Sequence, residues 1–586
     1  MQLICKELLA KIRNNPVYKV YNETIISKAD KILDERIEVL SYQDHMFFYR
    51  EHYRSDGQKT ARRENLSLLS LAYLLTKKEE YLLRAEDYIW AICDEFAWAV
   101  PAHLKEEGLV NAVPFETQPQ YIELLASGTV ALLAEVDAAL GDALSWRIRS
   151  RIRMEAERRI FTPFETRLHN LFWERTVHNW ASVCSSNLGI AYIHLCDKER
   201  VTKILPRLKK SIANFLDGYD SDGCCLEGYA YWNYGFGEFI QFADLLYRYT
   251  EGKDNYFLDE KVHQIALYGQ RVMVGDYRVV NFADGQDNSP IQLAKLHLLA
   301  SYYDDIILPN KERYNFGTLE GKMATSFLPA LRNYLWINPE RDGNLGERSY
   351  HYYMDKAEWF IEKNARYSFV AKGGHNAEPY LTSHPDWRER YENRADRNEP
   401  HNHNDVGHFI FYHENECIFC DLGAGLYYVD YFFPEHRYKY LPSSSRGHSV
   451  PIVDGQEQCR DIYHGAKLLS VDDTHFTIDI AGAYEVDGLT SLVRSFSIDK
   501  DGVIIKDTYT TEAPLQVTER FVTKIKPEQK GNILSVGSAT LTIPDGVTYT
   551  LHEEAFVSHD KENVTAYLLD FSFVADGERQ VCFRME

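Results

Sequence analysis

The residues best suited to chemistry fall between His401 and His408, where three histidines and Asp405 occupy eight positions (sequence His-Asn-His-Asn-Asp-Val-Gly-His). Directly afterwards the pattern changes to alternation. Gly407 to Tyr412, a polar turn at His413-Glu414-Asn415-Glu416, and Cys417 to Leu422 read as a β-hairpin. Asp421 leaves the second strand at the end where the imidazoles enter the first, so ring nitrogens and a carboxylate converge on one sheet edge. Imidazole nitrogen and carboxylate oxygen are both ordinary zinc ligands. His448, in Ser443-Ser444-Ser445-Arg446-Gly447-His448-Ser449, precedes another strand pattern and returns to the same edge. His403, Asp421 and His448 together make a coherent three-ligand zinc set, completed by water or a neighbour.

Two further groups lie in the first half of the chain. Asn179, within Thr176-Val177-His178-Asn179-Trp180, opens a helical pattern. Its amide is a neutral double donor able to hold a carboxylate or a sugar hydroxyl, and it is equally suited to capping the helix. The stretch from Asp222 to Gly235 carries Glu227, Tyr231 and Tyr234. The two tyrosines are three apart, so on an α-helix they share a face, and a phenol moves a proton when its environment tunes it. An aromatic core stripe is the competing reading. Trp98 and His103, in a loop between helices, are candidates for lining a sugar-binding cleft, with core packing the alternative.

These groups need elements to position them. To about Trp336 the pattern is helical: Glu64 to Leu75, Glu80 to Cys93, Tyr121 to Leu140, Ala181 to Leu195, Thr202 to Leu216, Gly235 to Tyr249 and Lys261 to Val274 repeat apolar residues at three- and four-residue steps. Short breaker-rich turns separate them, which suggests stacked helical hairpins in a solenoid or closed toroid. After about Gly343 short strand patterns follow one another without a long helix, which indicates an antiparallel β-sandwich. The expectation is therefore a helical domain over 1–340 and a β-sandwich over 341–586, joined near Pro339 to Arg348.

Composition narrows the function. The chain of 586 residues is long enough for two or three cores, and its 45% hydrophobic and 26% charged content is that of an ordinary soluble protein. A formal charge of −22 removes the electrostatic footprint expected of a nucleic-acid binder. A local basic cleft for an anionic ligand remains compatible with it. The 40 tyrosines and 29 phenylalanines are plentiful enough to wall a sugar site. No stretch approaches an uncharged membrane span, and the opening MQLICKELLAKIRNN has no apolar run of signal-peptide length, so a cytoplasmic location is expected. The ten cysteines form no small-domain framework. They are expected to be free, with Cys417-x-x-Cys420 a packing pair inside a strand.

Taken together, HNW, DGxxxEGxxYWxY, GGHN, HNHND with an Asp one hairpin later, and GHS…VDGxxQ resemble the heparinase II/III-like polysaccharide lyases over most of the chain. The resemblance implies an (α/α) toroid followed by an antiparallel β-sandwich. It also implies β-elimination on a uronic-acid-containing polysaccharide: heparin or heparan sulfate first, then hyaluronan or chondroitin, and alginate. In that pattern Asn179 neutralises the uronate carboxylate, and Tyr234 transfers the proton, with Tyr231 the alternative. His401 flanks the cleft as a second base or carboxylate binder, and His403, Asp421 and His448 hold a structural zinc. His178, Glu227, Trp98 and His103 are expected to contact substrate. Between GGHN and HNHND this chain inserts Tyr380 to Glu399, whose Arg388 and Arg394 are expected to meet sulfate or carboxylate groups. A homodimer is the oligomeric expectation. The competing functions are a glycoside hydrolase, with Glu227 and Asp222 as its carboxylate candidates, and a non-catalytic carbohydrate-binding protein.

Overall fold

The structure is a computed structural model that describes residues 12–45, 57–104, 113–311, 327–376, 401–460 and 463–586. The chain forms two compact units. The first comprises residues 1–218, 233–263 and 290–343, and the second comprises residues 219–232, 264–289 and 344–586.

The first unit is helical. Its helices include α1 (Gly57–Thr76), α2 (Glu79–Cys93), α3 (Leu124–Leu140), α4 (Asn179–Leu195), α5 (Lys198–Asp217) and α6 (Gly237–Tyr249). Pairing follows the sequence: α1 packs on α2, and α4 packs on α3, α5 and α6. The reason is visible in the burial. In α5 the residues Val201, Ile204, Leu208, Ile212, Phe215 and Leu216 are buried, a stripe at three- and four-residue steps, while Asp197 caps the helix by accepting from the Arg200 amide at 2.9 Å. By contrast, α4 is buried almost all round, as befits a helix with neighbours on every side. The most apolar helical stretch, Phe115–Ala143, is 67% buried over its apolar window, which marks it as a core helix.

The second unit is built on antiparallel sheets. A five-stranded meander runs in chain order through β1 (Tyr350–Met354), β2 (Trp359–Lys363), β3 (Tyr367–Lys372), β4 (Phe409–His413) and β5 (Glu416–Phe419). Among the described residues, an eight-stranded sheet and a four-stranded sheet follow from the remaining chain. Their inner faces share one core, in which Phe360, Phe369, Phe409, Phe476, Phe496, Phe521, Phe571 and Phe583 are all fully buried. The hairpin of β4 and β5 closes through Glu414 and Asn415, both with positive φ, in a tight two-residue turn that matches the strand twist. Cys420 lies in a small satellite core with Leu422, Leu441, Val522, Ala566 and Leu568, so it packs as expected, and the described cysteines are free.

One buried ion cluster ties the sheets to the loop ahead of β4. The Arg494 guanidinium donates to Asp507 at 2.9 and 2.8 Å and to Glu519 at 2.6 Å, and its remaining nitrogen donates to the carbonyls of Gly407 and Ser449, both at 3.0 Å. Arg494→Ala should cost about 3–5 kcal/mol in urea denaturation, because it strands buried carboxylates without a counter-charge. An unchanged midpoint would show that the cluster carries no net stability.

Candidate active site and metal-binding cluster

The loop from His401 to His408 is held in place by backbone and amide contacts. The Asn404 amide donates to the Ser443 carbonyl at 3.1 Å, and the Gly407 amide donates to the Lys372 carbonyl at 3.0 Å. Gln458 brackets Val406, accepting its N–H at 2.9 Å and donating to its carbonyl at 2.7 Å. Asn376, the Asn of GGHN, accepts from the Asp405 amide at 3.3 Å. Motif residues outside the loop therefore serve as its clamps.

Within that frame His403, Asp405, Asp421 and His448, all buried, place ligand atoms within 4.8 Å of one another. Hydrogen bonds fix which atoms are free to coordinate. His448 Nδ1 faces the Ser444 carbonyl at 2.8 Å and must donate to it, which leaves Nε2 as a lone pair. His403 Nε2 faces Asp284 Oδ1 at 3.0 Å and donates to it, which leaves Nδ1 as a lone pair. The two remaining nitrogens face each other at 3.1 Å, each open to a cation once unprotonated. Beside them, Asp421 Oδ2 lies 3.4 Å from His448 Nε2, and Asp405 Oδ2 lies 3.9 Å from it. Both oxygens are buried without a hydrogen-bond partner. Tetrahedral ligands about 2.0–2.2 Å from a zinc-sized ion stand roughly 3.3–3.6 Å apart. The other three groups stand 3.1–3.9 Å from His448 Nε2, and all four lie within 4.8 Å of one another, a set that two imidazole nitrogens and two carboxylate oxygens can close around a divalent cation.

His408 is different. Its Nδ1 accepts the Ser449 amide at 2.9 Å, so its Nε2 bears the proton and points a donor, not a lone pair, toward Asp421 at 3.6 Å. Burial, opposed by the Asp421 charge and reinforced by His448, holds the His408 imidazole well below its usual range. Asp405 gives its other oxygen to the Lys372 ammonium at 2.7 Å. Burial alone would push the Asp421 carboxyl up, but the His448, His403 and His408 rings bring it well below the usual carboxylate range.

The third histidine of the stretch faces elsewhere. The His401 ring stacks on the Tyr231 ring with centroids 3.7 Å apart and planes 20° off parallel. Its Nδ1 lies 3.0 Å from Glu227 Oε2, so the imidazole donates there and presents Nε2 as a proton acceptor. Between Glu227 and Tyr231, Gly228 carries a tight chain crossing. It has a φ of +93°, and a Cβ at that position would meet the Phe282 carbonyl oxygen at 2.7 Å. The Tyr231 phenol meets the Tyr427 hydroxyl at 2.7 Å. Burial and the Asp284 charge push the Tyr231 phenol well above its ordinary range, so it is a neutral donor. Beside this group, a cavity of about 410 Å³ is lined by Lys356, Lys372, His375, Asn402 and Tyr463 among others. Trp359 and Tyr463 give it aromatic walls of the kind that suit a sugar ring, and Lys356 and Glu358 give it charges of both signs.

Several expectations need correction. Tyr231 and Tyr234 do not share a helical face, because a π-helical turn over Trp232–Phe236 follows Tyr231 and breaks the three-residue register. Tyr234 lines a cavity of the helical unit with Arg63, Asn187 and Glu238, while the phenol that meets His401 is Tyr231. Trp98 is not a sugar platform. It is 1% exposed, donates its indole N–H to the Ile92 carbonyl at 2.9 Å, and is covered by the Arg159 guanidinium. The cap of α4 is His178, whose Nδ1 accepts from the Trp180 amide at 3.4 Å, and Asn179 is the first residue of the helix, buried. Gly235 lets the chain pass close to Asn179, since a Cβ there would sit 3.0 Å from the Asn179 Cβ. His103 binds Glu123 at 2.5 Å and packs its ring edge-on to Trp180, next in sequence to Asn179. Asp222 is occupied as a turn residue by the amides of Cys224, Lys356 and Ala357, each at 3.0 Å. Arg388 and Arg394, with the whole insertion Tyr380 to Glu399, lie outside the described residues.

The sequence pattern counted Asp405 in the His-rich stretch but left it out of the ligand set, because loop aspartates are common. It also passed over Asp284, Tyr427, Tyr431 and Arg437. Asp284 sits in Asn281-Phe282-Ala283-Asp284-Gly285, which reads as a turn, and only its complete burial marks it out.

Comparison with known proteins bears on the same residues. Positions 393–573 match the family model described as heparinase II/III-like, C-terminal. Over that stretch the chain is similar to the heparinase II/III-like C-terminal domain. The matched segment contains His401, His403, Asp405, Asp421 and His448. No curated protein matches the chain. Among solved structures, heparinase III superposes with a TM-score of 0.61 at 13% identity, over 99% of this chain and 88% of that one. Heparan sulfate lyase HepC from Pedobacter heparinus gives 0.55 at 14% identity, over 98% and 83%. A variant of chondroitin AC lyase from Streptomyces coelicolor gives 0.53 at 9% identity, over 99% and 81%. At these identities the likeness establishes the fold: a helical toroid-type domain followed by antiparallel β-sheets, as the sequence pattern led us to expect.

Proposed function

We propose that the protein is a polysaccharide lyase that cleaves uronic-acid-containing chains by β-elimination. The observation that carries this reading is the stacked pair of Tyr231 and His401, with His401 tied to Glu227. Elimination needs a base for the weakly acidic C5 proton and an acid for the oxygen leaving C4. An imidazole oriented by a carboxylate is such a base, and a phenol kept neutral by burial is such an acid. In the proposed step, His401 Nε2 takes the C5 proton and the C5–H electrons form the C4=C5 bond. The C4–O bond breaks with its pair on oxygen, and Tyr231 delivers its proton to that oxygen. Developing charge on the uronate carboxylate must be met by donors, a contribution typically worth several kcal/mol.

Two rings stacked at 3.7 Å favour acid and base acting from one face of the sugar. In a D-glucuronate, C5–H and C4–O lie on the same face, whereas in an L-iduronate they lie on opposite faces. The favoured substrate is thus a glucuronate-containing glycosaminoglycan such as heparan sulfate, with hyaluronan and chondroitin next. The aromatic lining beside His375, formed by Trp359 and Tyr463, suits a sugar ring. We assign zinc to the cluster of His403, Asp405, Asp421 and His448. Bound there, it would supply structural charge neutralisation that fixes the loop carrying His401.

Incubation with a panel of uronic-acid polymers tests the proposal. Unsaturated ends absorbing in the ultraviolet should appear on glucuronate-rich chains. New reducing ends without that absorbance would mark a hydrolase, and neither signal on any polymer would leave only binding.

A further inference from the structure

Behind Tyr231 stands a hydrogen-bond array organised by one fully buried carboxylate, Asp284. Its Oδ1 accepts from His403 Nε2 at 3.0 Å and from the Tyr431 hydroxyl at 3.0 Å. Its Oδ2 accepts from Arg437 at 3.2 Å and from the Tyr427 hydroxyl at 3.2 Å. Arg437 also donates to the Asn402 carbonyl at 3.1 and 2.9 Å, so it is pinned at two points. Beside such a guanidinium the carboxylate stays ionised, and an ionised carboxylate only accepts. The single proton of Tyr427 is therefore on the Asp284 side in the resting arrangement. In the 2.7 Å contact between Tyr427 and Tyr231, it follows that Tyr231 donates.

That arrangement changes once Tyr231 has lost its proton. The phenolate then needs a donor, and the nearest hydroxyl is Tyr427, already at 2.7 Å. A phenol hydroxyl reorients by rotation about its Cζ–O bond with no movement of heavy atoms. Asp284 tolerates the loss, because Tyr431, His403 and Arg437 still donate to it. We infer that Tyr427 is a positioning residue whose hydroxyl proton swings from Asp284 to the Tyr231 oxygen as Tyr231 gives its proton to the leaving group. No covalent bond of Tyr427 is made or broken. The proton lost from Tyr231 ends on the leaving oxygen, and the negative charge left on Tyr231 is met by a donor preset at hydrogen-bond distance. Such preorganisation is the usual source of large rate effects, because no dipole has to be reordered at the moment of reaction.

This inference rests on the acid role proposed for Tyr231, so its test includes a readout that needs no substrate. A ring-chlorinated tyrosine placed at position 231 titrates at lower pH than the other tyrosines and can be followed by its own absorbance. Tyr427→Phe should raise its ionisation midpoint by about one pH unit, a tenfold effect. A fluorinated tyrosine at 427, a stronger donor of the same shape, should lower it, which keeps the test usable should the Phe variant fold poorly. In turnover, Tyr427→Phe should reduce kcat roughly 10²-fold with KM little changed. The loss should nearly vanish on a uronate bearing fluoride at C4, which departs without a proton. An unmoved ionisation midpoint, or an equal kcat loss on the fluoride and the glycosidic substrate, would overturn the inference. A shifted midpoint in a protein that eliminates no polymer would sustain the hydrogen bond and refute the lyase reading instead.

Discussion

Tyr231→Phe should lower kcat for elimination by about 10²–10⁴-fold, the range for removing a general acid. Tyr234→Phe should leave most of the activity in place. The two phenols are three residues apart in sequence but are separated by the π-helical turn over Trp232–Phe236. Only Tyr231 stacks on His401, and only its hydroxyl joins the Tyr427 contact. Phenylalanine preserves the stacking, so the ring packing and metal content of the variant should match the parent. The measurement is the initial rate of ultraviolet-absorbing ends on a glucuronate-rich polymer, alongside metal analysis. Full activity in Tyr231→Phe with loss in Tyr234→Phe would return the acid role to Tyr234.

His403→Ala should strip the metal and lower the thermal midpoint by roughly 10 °C or more, since structural metal binding is coupled directly to folding. Removing this ring takes away one of two lone-pair nitrogens and leaves the Asp405 and Asp421 oxygens facing each other's charge. It also removes the donor that His403 gives to Asp284. Prolonged chelation of the unmodified protein should reproduce the loss. His408→Ala is the informative control. Although His408 stands in the same histidine-rich stretch, its protonated Nε2 excludes it from coordination, so metal content should stay near one ion per chain. Equal loss of metal from both variants, with metal analysis by mass spectrometry as the readout, would show that the tautomers assigned from the hydrogen bonds are wrong.

Much of the architecture was legible because it follows from periodicity. The buried stripe of α5 and the alternation of the strand Val503–Thr511 announce themselves at 3.6- and 2-residue spacing. His403 and Asp421 were legible together because a tight hairpin has only one open end and both stand at it, while His448 comes to them from the loop before another strand. The relation of Tyr231 to Tyr234 was not. A π-helical turn costs one residue of register, and nothing in Trp232-Asn233-Tyr234-Gly235 distinguishes it from regular helix. Trp98 misled for the opposite reason: loop tryptophans are good sugar platforms, and only burial reveals that this one is core. Asp284 was invisible because its partners are remote. It meets His403 across 119 residues of sequence and Arg437 across 153.

That separation has a bearing on how the protein is made. The segments 219–232 and 264–289 belong to the same compact unit as the strands after residue 344, yet they leave the ribosome well before them. At about 5–20 residues per second, the 119 residues between Asp284 and His403 take on the order of ten seconds to synthesise. During that interval a carboxylate destined for complete burial waits for His403, Tyr427, Tyr431 and Arg437. The helical pairs around α3, α4 and α5 assemble from near-neighbour contacts and are free to form first. Nascent-chain folding should therefore proceed out of order, with two internal stretches of polypeptide held open until the residues after 344 arrive to enclose them.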